Sequence, residues 1–318
     1  MKSRSLVLLS GEGTTLPLAE AKALFLAYDP SSTFEVPDPR ILIAESEADP
    51  SRVGRRIAFG RRVGRLVEDR SSVPSLVNGR RVRFRSFDLV PGLSPADPAA
   101  YLAGVKAQVD LRSPELELTL VRSSSEYLAV TSPGTMLQGW SLRRPRRRPF
   151  FHPSAIFPKL SRALFNMSRC RERETFLDPF AGTGSILLEA GVVGARVVAM
   201  DIVAKMASGA TANMKRFSQE WDGVVRGDCA SLPFRSVDAV ATDIPYGRAS
   251  STRGKVPEKI LGFALPEHAR VCPRGSLAVV MHPQQFPVHP GDEFRAVEEH
   301  HLHVHKLLTR AITVLERR

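Results

Sequence analysis

The second half of the chain predicts an α/β fold built on a doubly wound, largely parallel sheet. Between residues 154 and 282, helical and strand-like segments alternate, which is the pattern of such folds. A glycine-bearing turn at residues 180–184 joins an apolar strand to an apolar helix. Four predicted strands end at or just before an aspartate: Asp178, Asp201, Asp228 and Asp243. Because ligands of open α/β sheets bind beyond the carboxyl ends of the strands, these aspartates mark a predicted ligand site.

The strands and helices of this half can be placed in chain order. Apolar segments predict five parallel strands, at residues 175–178, 197–201, 224–227, 239–243 and 276–282. Helical patterns alternate with them, at residues 154–166, 185–190, 204–217 and 257–271. Two more strands, at residues 294–305 and 311–316, follow each other closely enough to form an antiparallel pair. The prediction is a mixed seven-stranded sheet with a terminal hairpin, typical of class I (Rossmann-like) methyltransferases rather than nucleotide dehydrogenases.

The first half of the chain predicts smaller α+β units. Residues 1–50 contain a strand, a helix at 16–28 and two short strands, as in a ferredoxin-like unit. Farther along, the apolar spacing over 53–66 allows a helix, and strands follow near 82–90, 115–121 and 126–130. Arginine and proline at 143–148 predict an extended linker. We therefore divide the chain into residues 1–50, 51–135, 136–150 and 151–318.

The charge of the chain predicts a polyanionic partner. It has 45 Lys and Arg against 33 Asp and Glu, a net charge of +12. Nucleic acid is the first candidate, and a generally basic surface without a specific partner is the alternative.

Arginines concentrate in two regions of the sequence. In residues 52–85, eleven arginines are opposed by two acidic residues, and five of the six residues at 143–148 are arginine. These clusters either contact RNA phosphates or form solvated surfaces, and we favour RNA. The candidate RNA-binding residues are Arg61, Arg62, Arg80, Arg81, Arg83, Arg85, Arg143, Arg144, Arg146, Arg147 and Arg148. Arg83 and Arg85 alternate with apolar residues and are predicted to share one face of a strand.

Cysteine usage favours a reducing, cytoplasmic location. Cys170, Cys229 and Cys272 are far apart and form no CxxC pair, so neither a disulfide framework nor a zinc site is indicated. Four histidines lie at 300, 301, 303 and 305, but no cysteine accompanies them, and we expect a polar strand face rather than a metal site.

The glycine turn excludes two common nucleotide motifs. A dinucleotide fingerprint would need glycine at position 187, where the chain has Leu187, and no G-K-[ST] follows as in a P-loop. S-adenosylmethionine carries a sulfonium and an amino-acid tail instead of a pyrophosphate, so an acidic strand end suits it. We expect Asp178 to face its cationic side, Asp201 its ribose, and Asp228 with Cys229 its adenine. The turn itself contributes Phe180, Ala181, Gly182, Thr183 and Gly184.

The residues after the fourth strand predict the chemistry. Asp243, Ile244, Pro245 and Tyr246 resemble the (D/N)-P-P-Y motif of methyltransferases that act on base amines. The lone pair of such an amine is delocalised into the ring. Acceptance of the amine hydrogens by the Asp243 carboxylate and the Ile244 carbonyl would localise it. Tyr246 can stack on the base. Ile244 in place of the first proline leaves the backbone of this loop less restricted.

The chain also resembles two known families. Gly104, Val109-Asp110-Leu111 and the strand after Pro114 resemble the THUMP domain, which implies docking of structured RNA. The segments 147–168, 177–190, 242–248 and 305–315 resemble archaeal THUMP-containing tRNA (guanine position 10) N2-methyltransferases. This resemblance implies that His152 and Pro153 lie beside the methionine end of the cofactor. It also leaves open a small zinc-binding activator protein as partner, as in some relatives.

Three functions remain open from the sequence. The first is S-adenosylmethionine-dependent methylation of the N2 amine of a tRNA guanosine, most consistent with position 10. The second is the same chemistry at another tRNA position, such as 6, or on ribosomal RNA. The third is a non-catalytic RNA-binding protein, which is disfavoured by the retained Asp178, Gly182, Gly184, Asp243 and Tyr246.

Overall fold

The computed structural model describes residues 1–12, 15–102, 105–132, 139–217, 222–246, 257–305 and 308–318. The chain forms two compact units. The amino-terminal unit comprises Met1–Glu12 and Leu24–Gln138, and the carboxy-terminal unit comprises Gly13–Ala23 and Gly139–Arg318. The division into four segments at 50, 135 and 150 stays a prediction. Gly104, residues 247–248 and residues 306–307, which the sequence motifs include, lie outside the described residues.

The amino-terminal unit contains one eight-stranded sheet in the order β2-β3-β1-β4-β8-β7-β5-β6. The elements of this half of the chain are β1 (Ser3–Leu9), α1 (Leu16–Tyr28), β2 (Thr33–Asp38), β3 (Ile41–Ser46), α2 (Pro50–Arg56), β4 (Gly60–Leu66), α3 (Val73–Val77), β5 (Arg81–Asp88), α4 (Pro98–Leu102), β6 (Gln108–Val109), β7 (Leu116–Arg122) and β8 (Glu126–Thr131). Strands from before and after residue 50 therefore share this sheet.

The prediction of a helix over residues 53–66, which the apolar spacing allows, is wrong. Helix α2 ends at Arg56, and strand β4 begins at Gly60. Three glycines, Gly54, Gly60 and Gly64, weaken a helix here. In the strand, the backbone of β4 approaches β8 so closely that a Cβ at Gly64 would collide with the carbonyl oxygen of Val130. Long-range strand pairing, which periodicity alone does not reveal, therefore overrides the helical pattern.

The carboxy-terminal unit contains a seven-stranded sheet in the order β11-β10-β9-β12-β13-β15-β14. Its elements are α5 (Pro158–Met167), β9 (Thr175–Asp178), α6 (Ser185–Val193), β10 (Arg196–Asp201), α7 (Ala204–Phe217), β11 (Gly223–Arg226), β12 (Ala239–Asp243), α8 (Pro257–Val271), β13 (Leu277–Pro283), β14 (Phe294–His305) and β15 (Leu308–Arg317). The first five strands in sheet order pair in parallel, and β15 pairs antiparallel with both β13 and β14. The predicted mixed sheet with a terminal hairpin is confirmed.

Helix α5 begins four residues later than the pattern suggested. Pro158 occupies its first turn, and Phe157 precedes it with extended backbone angles (φ −69°, ψ 148°). Because the residue before a proline avoids the helical region, the helix starts at the proline. Residues 154–157 are thereby left as a loop, and two of them line the cavity described below.

The core of this unit lies along the central strands and α8. Leu177 of β9, Met200 of β10 and Val240 of β12 are fully buried, as are Ala278 and Val280 of β13. Strands that are apolar on both faces are expected where helices cover a parallel sheet. The core fixes the strand ends, and with them the loops that carry the site. No helix among the described residues is both long and apolar enough to cross a membrane.

Candidate active site

A cavity of about 860 Å³ opens at the carboxyl ends of β9, β10 and β12. This is the location expected for a ligand of a doubly wound sheet. Thirteen residues predicted from the sequence line it: Pro153, Asp178, Phe180, Ala181, Gly182, Thr183, Asp201, Asp228, Cys229, Asp243, Ile244, Pro245 and Tyr246. The structure therefore brings the glycine turn, the strand-end aspartates and the tetrapeptide after β12 to one site.

Two predicted residues, His152 and Gly184, are not part of the cavity wall. Gly184 caps α6 with a left-handed backbone (φ 75°), and a Cβ there would lie 3.2 Å from the Cβ of Ala210 on α7. Gly184 thus lets two helices pack closely rather than contacting the ligand space. The ring nitrogen Nδ1 of His152 lies 2.8 Å from Oγ of Ser154, and it is Ser154 that lines the cavity.

The glycine turn is tied to the next strand by Asp201. Gly182 has a positive φ of 52°, and its N–H donates to Oδ2 of Asp201 at 2.9 Å. Oδ1 of the same carboxylate accepts the N–H of Val203 at 2.8 Å. Burial raises the pKa of Asp201, while these two hydrogen bonds oppose the shift. Each oxygen retains a second lone pair, so Asp201 can still accept from a ligand hydroxyl.

Asp178 is the most deeply buried carboxylate of the cavity wall, with 2% of its surface exposed. Its Oδ1 accepts the hydroxyl of Thr242 at 2.7 Å and the N–H of Phe180 at 3.1 Å. Burial raises the pKa of Asp178 to about 7, and the nearby Asp201 and Asp243 contribute in the same direction. Three carboxylates around one cavity make it a favourable place for a cationic ligand group.

Asp228 and Cys229 follow β11 and complete the acidic wall. Oδ1 of Asp228 accepts the N–H of Ala230 at 3.1 Å, which holds the carboxylate at the strand end. The N–H of Gly227 donates to the Asp201 carbonyl at 3.1 Å. The ends of β10 and β11 are thus joined beneath the cavity.

Ile244 explains how the tetrapeptide after β12 is held without its usual first proline. The N–H of Ile244 donates to the carbonyl of Met281 on β13 at 3.0 Å, a bond that proline could not form. The Ile244 side chain is 1% exposed and packs in the core cluster of the unit. A backbone hydrogen bond and a buried side chain therefore fix this loop where the sequence predicted less restraint.

Arg310 of β15 is a site residue that sequence reasoning did not identify. Its Nη1 lies 3.6 Å from Oδ2 of Asp243, and its guanidinium carbon lies 5.5 Å from the ring centre of Tyr246. Burial raises the pKa of Asp243 to about 6, and Arg310 opposes that shift. Burial also raises the pKa of Tyr246 to about 12. Arg310 lies in the segment 305–315, whose resemblance to the methyltransferase family was the available signal, but only the β13–β15 pairing brings it near Asp243.

Apolar side chains close the remaining wall of the cavity. Ile260 and Phe263 of α8, Leu308 of β15 and Met206 of α7 contribute to it. None of these four residues belongs to the predicted site. Their presence gives the cavity apolar wall area in addition to its carboxylates, which suits a ligand with a planar ring.

Two of the candidate RNA-binding arginines are contradicted by the structure. Arg143 and Arg148 are buried, and their guanidinium groups pair with Glu189 and with Oγ of Ser185, respectively. The segment they belong to is also not extended, because Pro145–Arg147 form a short 3-10 helix. Arg144, Arg146 and Arg147 are exposed and stay candidates.

Three arginines of the amino-terminal unit, Arg62, Arg83 and Arg85, converge on one carboxylate. Glu117 of β7 is 2% exposed, and it lies 2.5 Å from Nε of Arg62, 2.6 Å from Nη2 of Arg83 and 3.0 Å from Nε of Arg85. Arg83 and Arg85 share a strand face, as predicted. Three cations on one anion leave a local positive excess, while Arg61, Arg80 and Arg81 are exposed. Their contact with RNA stays a prediction.

Two histidines of β14 form polar pairs with glutamates of the same strand. Nε2 of His300 lies 3.1 Å from Glu298, and Nε2 of His301 lies 3.3 Å from Glu299. Within the described part of the chain, no group of three or more His, Cys, Asp or Glu side chains is arranged to hold a metal ion.

The sheet order, the terminal hairpin and the acidic cavity define a class I methyltransferase domain. Residues 145–308, just over half of the chain, match the family model of the RMKL-like methyltransferase domain. The chain belongs to this family.

Curated relatives resemble the chain over the same region. It is 36% identical over 177 residues to the tRNA (guanine(10)-N2)-dimethyltransferase of Methanothermobacter thermautotrophicus. The alignment covers 55% of this chain and 53% of that protein. It is 40% identical over 133 residues to the enzyme of that name from Methanocaldococcus jannaschii. That alignment covers 39% of this chain and 37% of the relative. The chain thus matches about half or less of these relatives. The predicted resemblance to archaeal guanine-10 N2-methyltransferases is confirmed, whereas the THUMP domain stays a prediction.

Solved structures match nearly the full length of the chain at low identity. TrmN from Thermus thermophilus aligns with a TM-score of 0.51 and 18% identity, over 99% of this chain and 100% of that one. A possible methylase from Clostridium difficile aligns with a TM-score of 0.50 and 11% identity, over 100% and 99%. At these identities the match supports the fold alone.

Proposed function

We propose that the protein is an S-adenosylmethionine-dependent tRNA methyltransferase that methylates the exocyclic N2 amine of a guanosine, at position 10. The observation that carries the proposal is the Asp243–Tyr246 tetrapeptide at the edge of an acidic cavity at the strand ends. The names of the relatives, tRNA (guanine(10)-N2)-dimethyltransferases, supply the substrate and the position.

The cavity wall suits the methyl donor in charge and in shape. Asp178 is a buried carboxylate for the cationic sulfonium and ammonium side, and Asp201 has lone pairs for ribose hydroxyls. Asp228 accepts from the adenine amine, with apolar Met206 and Phe263 in the same wall. When bound, S-adenosylmethionine supplies an electrophilic methyl group. The volume of about 860 Å³ is in the usual range for a cofactor pocket.

The residues after β12 prepare the guanine amine as a nucleophile. The Asp243 carboxylate and the Ile244 carbonyl accept the two N2 hydrogens, which localises the nitrogen lone pair. Tyr246 stacks on the base and orients it. As N2 gains positive charge, its proton passes to Asp243 and from there to solvent. Because burial raises the pKa of Asp243 to about 6, it is ionised at neutral pH and able to accept.

The basic character of the chain supports a tRNA partner. A net charge of +12 and the exposed Arg144, Arg146 and Arg147 provide phosphate-binding groups. The cytoplasmic location and a zinc-binding activator partner stay predictions.

Methylation of an unmodified tRNA transcript with labelled S-adenosylmethionine tests the proposal. The wild type is expected to label the transcript, with nucleoside mapping placing the label on N2 of guanosine 10. Asp243→Ala is expected to lose about 10²–10³ in kcat. Asp222→Asn, which changes an exposed aspartate paired with Arg196, is the matched control and is expected to retain activity.

Three results would contradict the proposal in different ways. Absence of labelling by the wild type would favour a non-catalytic RNA-binding protein. Label at another tRNA position or only on ribosomal RNA would change the target and keep the chemistry. Undiminished labelling by Asp243→Ala would remove the proposed role of the tetrapeptide.

A further inference from the structure

We propose that Arg310 determines the base specificity of the site by donating to O6 of the guanine whose N2 amine is held by Asp243. This inference rests on the proposed function, because it takes guanine as the acceptor base. It assigns a role to a residue outside both motifs, the glycine turn and the tetrapeptide after β12.

The strand register places Arg310 beside Asp243. Strand β13 lies between β12 and β15, with Asp243 opposite Met281 on one side and Arg310 opposite Pro283 on the other. The long side chain of Arg310 returns across β13, so that its Nη1 lies 3.8 Å from the Met281 sulfur and 3.6 Å from Oδ2 of Asp243. Both residues line the cavity.

The geometry of the pair leaves hydrogen-bonding capacity for a ligand. A separation of 3.6 Å is an ion pair but is too long for a good hydrogen bond. Nε of Arg310 and Oδ1 of Asp243 are both buried without a hydrogen-bond partner among the residues that the structure describes. Unsatisfied buried polar groups are uncommon in folded proteins, and a site that binds a polar ligand is one reason for them.

The pair complements the Watson–Crick edge of guanine. That edge presents two donors, the N2 amine and N1–H, followed by the acceptor O6. Asp243 offers an acceptor and Arg310 a donor in the same order. Adenine with its amine at Asp243 would place its C2–H where guanine presents O6, so the buried guanidinium would lose the acceptor at that position.

Tyr246 strengthens the assignment. The guanidinium carbon of Arg310 lies 5.5 Å from the centre of its ring. A base that stacks on Tyr246 with its amine at Asp243 would therefore present the rest of its edge to Arg310. The alternative is that Arg310 acts only through Asp243, by favouring the ionised carboxylate. These two roles make different predictions for a base that lacks O6.

The experiment compares tRNA transcripts that carry guanine or 2-aminopurine at the target position. 2-Aminopurine retains the N2 amine and lacks both O6 and N1–H. Wild type, Arg310→Met and Arg310→Lys are compared by kcat/KM at pH 8, where Asp243 is ionised. Arg295→Met is the matched control, because Arg295 is an exposed arginine of the same hairpin, paired with Glu316.

We expect the wild type to prefer guanine by about 10²-fold. In Arg310→Met the preference should fall by tenfold or more, chiefly through reduced activity on guanine. Arg310→Lys keeps the charge but not the planar fork and should be intermediate. Arg295→Met should keep the wild-type ratio. Comparing enzyme variants and bases in one cycle separates the effect of Arg310 on O6 from that of the missing N1–H.

An equal reduction of kcat/KM on guanine and on 2-aminopurine in Arg310→Met would overturn the inference. Arg310 would then act through Asp243 or through the fold. If the wild type has equal kcat/KM on guanine and on 2-aminopurine, the inference is overturned without any variant. The inference therefore stays testable even if Arg310→Met does not fold. Failure of the wild type to methylate guanine at all is a separate outcome. That result overturns the proposed function, and with it the base that Arg310 is proposed to bind.

Discussion

Arg143 forms a two-point ion pair with Glu189, with Nε 2.7 Å from Oε1 and Nη2 3.1 Å from Oε2. Arg162 reaches the same Oε2 with Nη2 at 2.8 Å. Glu189 is completely buried on α6, the helix that follows the glycine turn. Arg148, which is held by the Arg143 carbonyl, donates to Ser185 in the first turn of α6. The arginine-rich segment thus fixes the helix that begins at the cofactor turn.

Glu189→Ala is expected to destabilise the protein strongly. The change removes the carboxylate that Arg143 and Arg162 share, and it leaves two guanidinium groups buried without that anion. Breaking a buried ion pair in this way costs about 3–5 kcal/mol of unfolding free energy. Chemical denaturation followed by circular dichroism measures the change.

The matched control is Glu316→Ala at the exposed pair with Arg295, 2.7 Å apart. A surface pair contributes about 0–1 kcal/mol. If Glu189→Ala costs no more than Glu316→Ala, the buried network does not stabilise the unit.

Asp178 should make cofactor binding depend on pH. Its pKa is raised to about 7 by burial, and only the ionised form attracts a cationic ligand. Affinity for S-adenosylmethionine, measured by calorimetry, should rise by roughly tenfold from pH 6 to pH 8. Asp178→Asn should bind more weakly and lose this dependence, whereas Asp222→Asn should keep it. The idea fails if Asp178→Asn retains the pH dependence of the wild type.

Ionisation of Asp178 should lower the stability of the ligand-free protein as the pH rises, whereas it raises the affinity for the cofactor. Its folded pKa lies above the ordinary value of 3.8. The contribution of Asp178 to the unfolding free energy is therefore fully present below about pH 4, and it is lost as the pH rises through about 7. Comparison of unfolding free energies of wild type and Asp178→Asn across this range measures the effect.

Asp243 should control the acid limb of methyl transfer. Burial raises its pKa to about 6, so the rate should fall about tenfold per pH unit below that value and reach a plateau above it. Single-turnover rates on a preformed enzyme–cofactor–tRNA complex separate this limb from cofactor binding. Because Arg310 lowers the pKa of Asp243, Arg310→Met should move the limb to higher pH. A flat wild-type profile between pH 5 and pH 7 would contradict this role.

Local sequence patterns were sufficient for most of the sheet and for the cavity wall. Four of the five parallel strands are apolar runs that end near an aspartate, and Gly182 marks the turn, so neighbours in sequence carry the information. The mixed sheet and most of the wall residues followed from these patterns and from the motif at Asp243–Tyr246, whereas Pro153 was implied by the family resemblance.

The features that were missed depend on pairing between distant residues. Arg310 reaches Asp243 only because β15 pairs with β13, and β4 is a strand because it pairs with β1 and β8. Arg143 and Arg148 looked like surface charges, because the carboxylate that buries Arg143, Glu189, lies 46 residues farther along the chain. Arginine count alone does not distinguish a phosphate-binding group from a buried structural one.

The exposed arginines at 144, 146 and 147 should contribute to tRNA affinity through phosphates. They are solvent-accessible, unlike Arg143 and Arg148 in the same segment. Changing all three to Gln should weaken tRNA binding and reduce the slope of log affinity against log salt by up to about 3, because each arginine that neutralises a phosphate accounts for roughly one unit of that slope. Filter binding at several salt concentrations measures both quantities. Unfolding free energy should stay within about 0.5 kcal/mol of wild type, because no buried group changes.

The control is Arg196→Gln with Arg295→Gln, which removes two exposed arginines elsewhere in the carboxy-terminal unit. If the control lowers the salt slope as much per arginine removed as the triple variant, binding follows net charge rather than this segment.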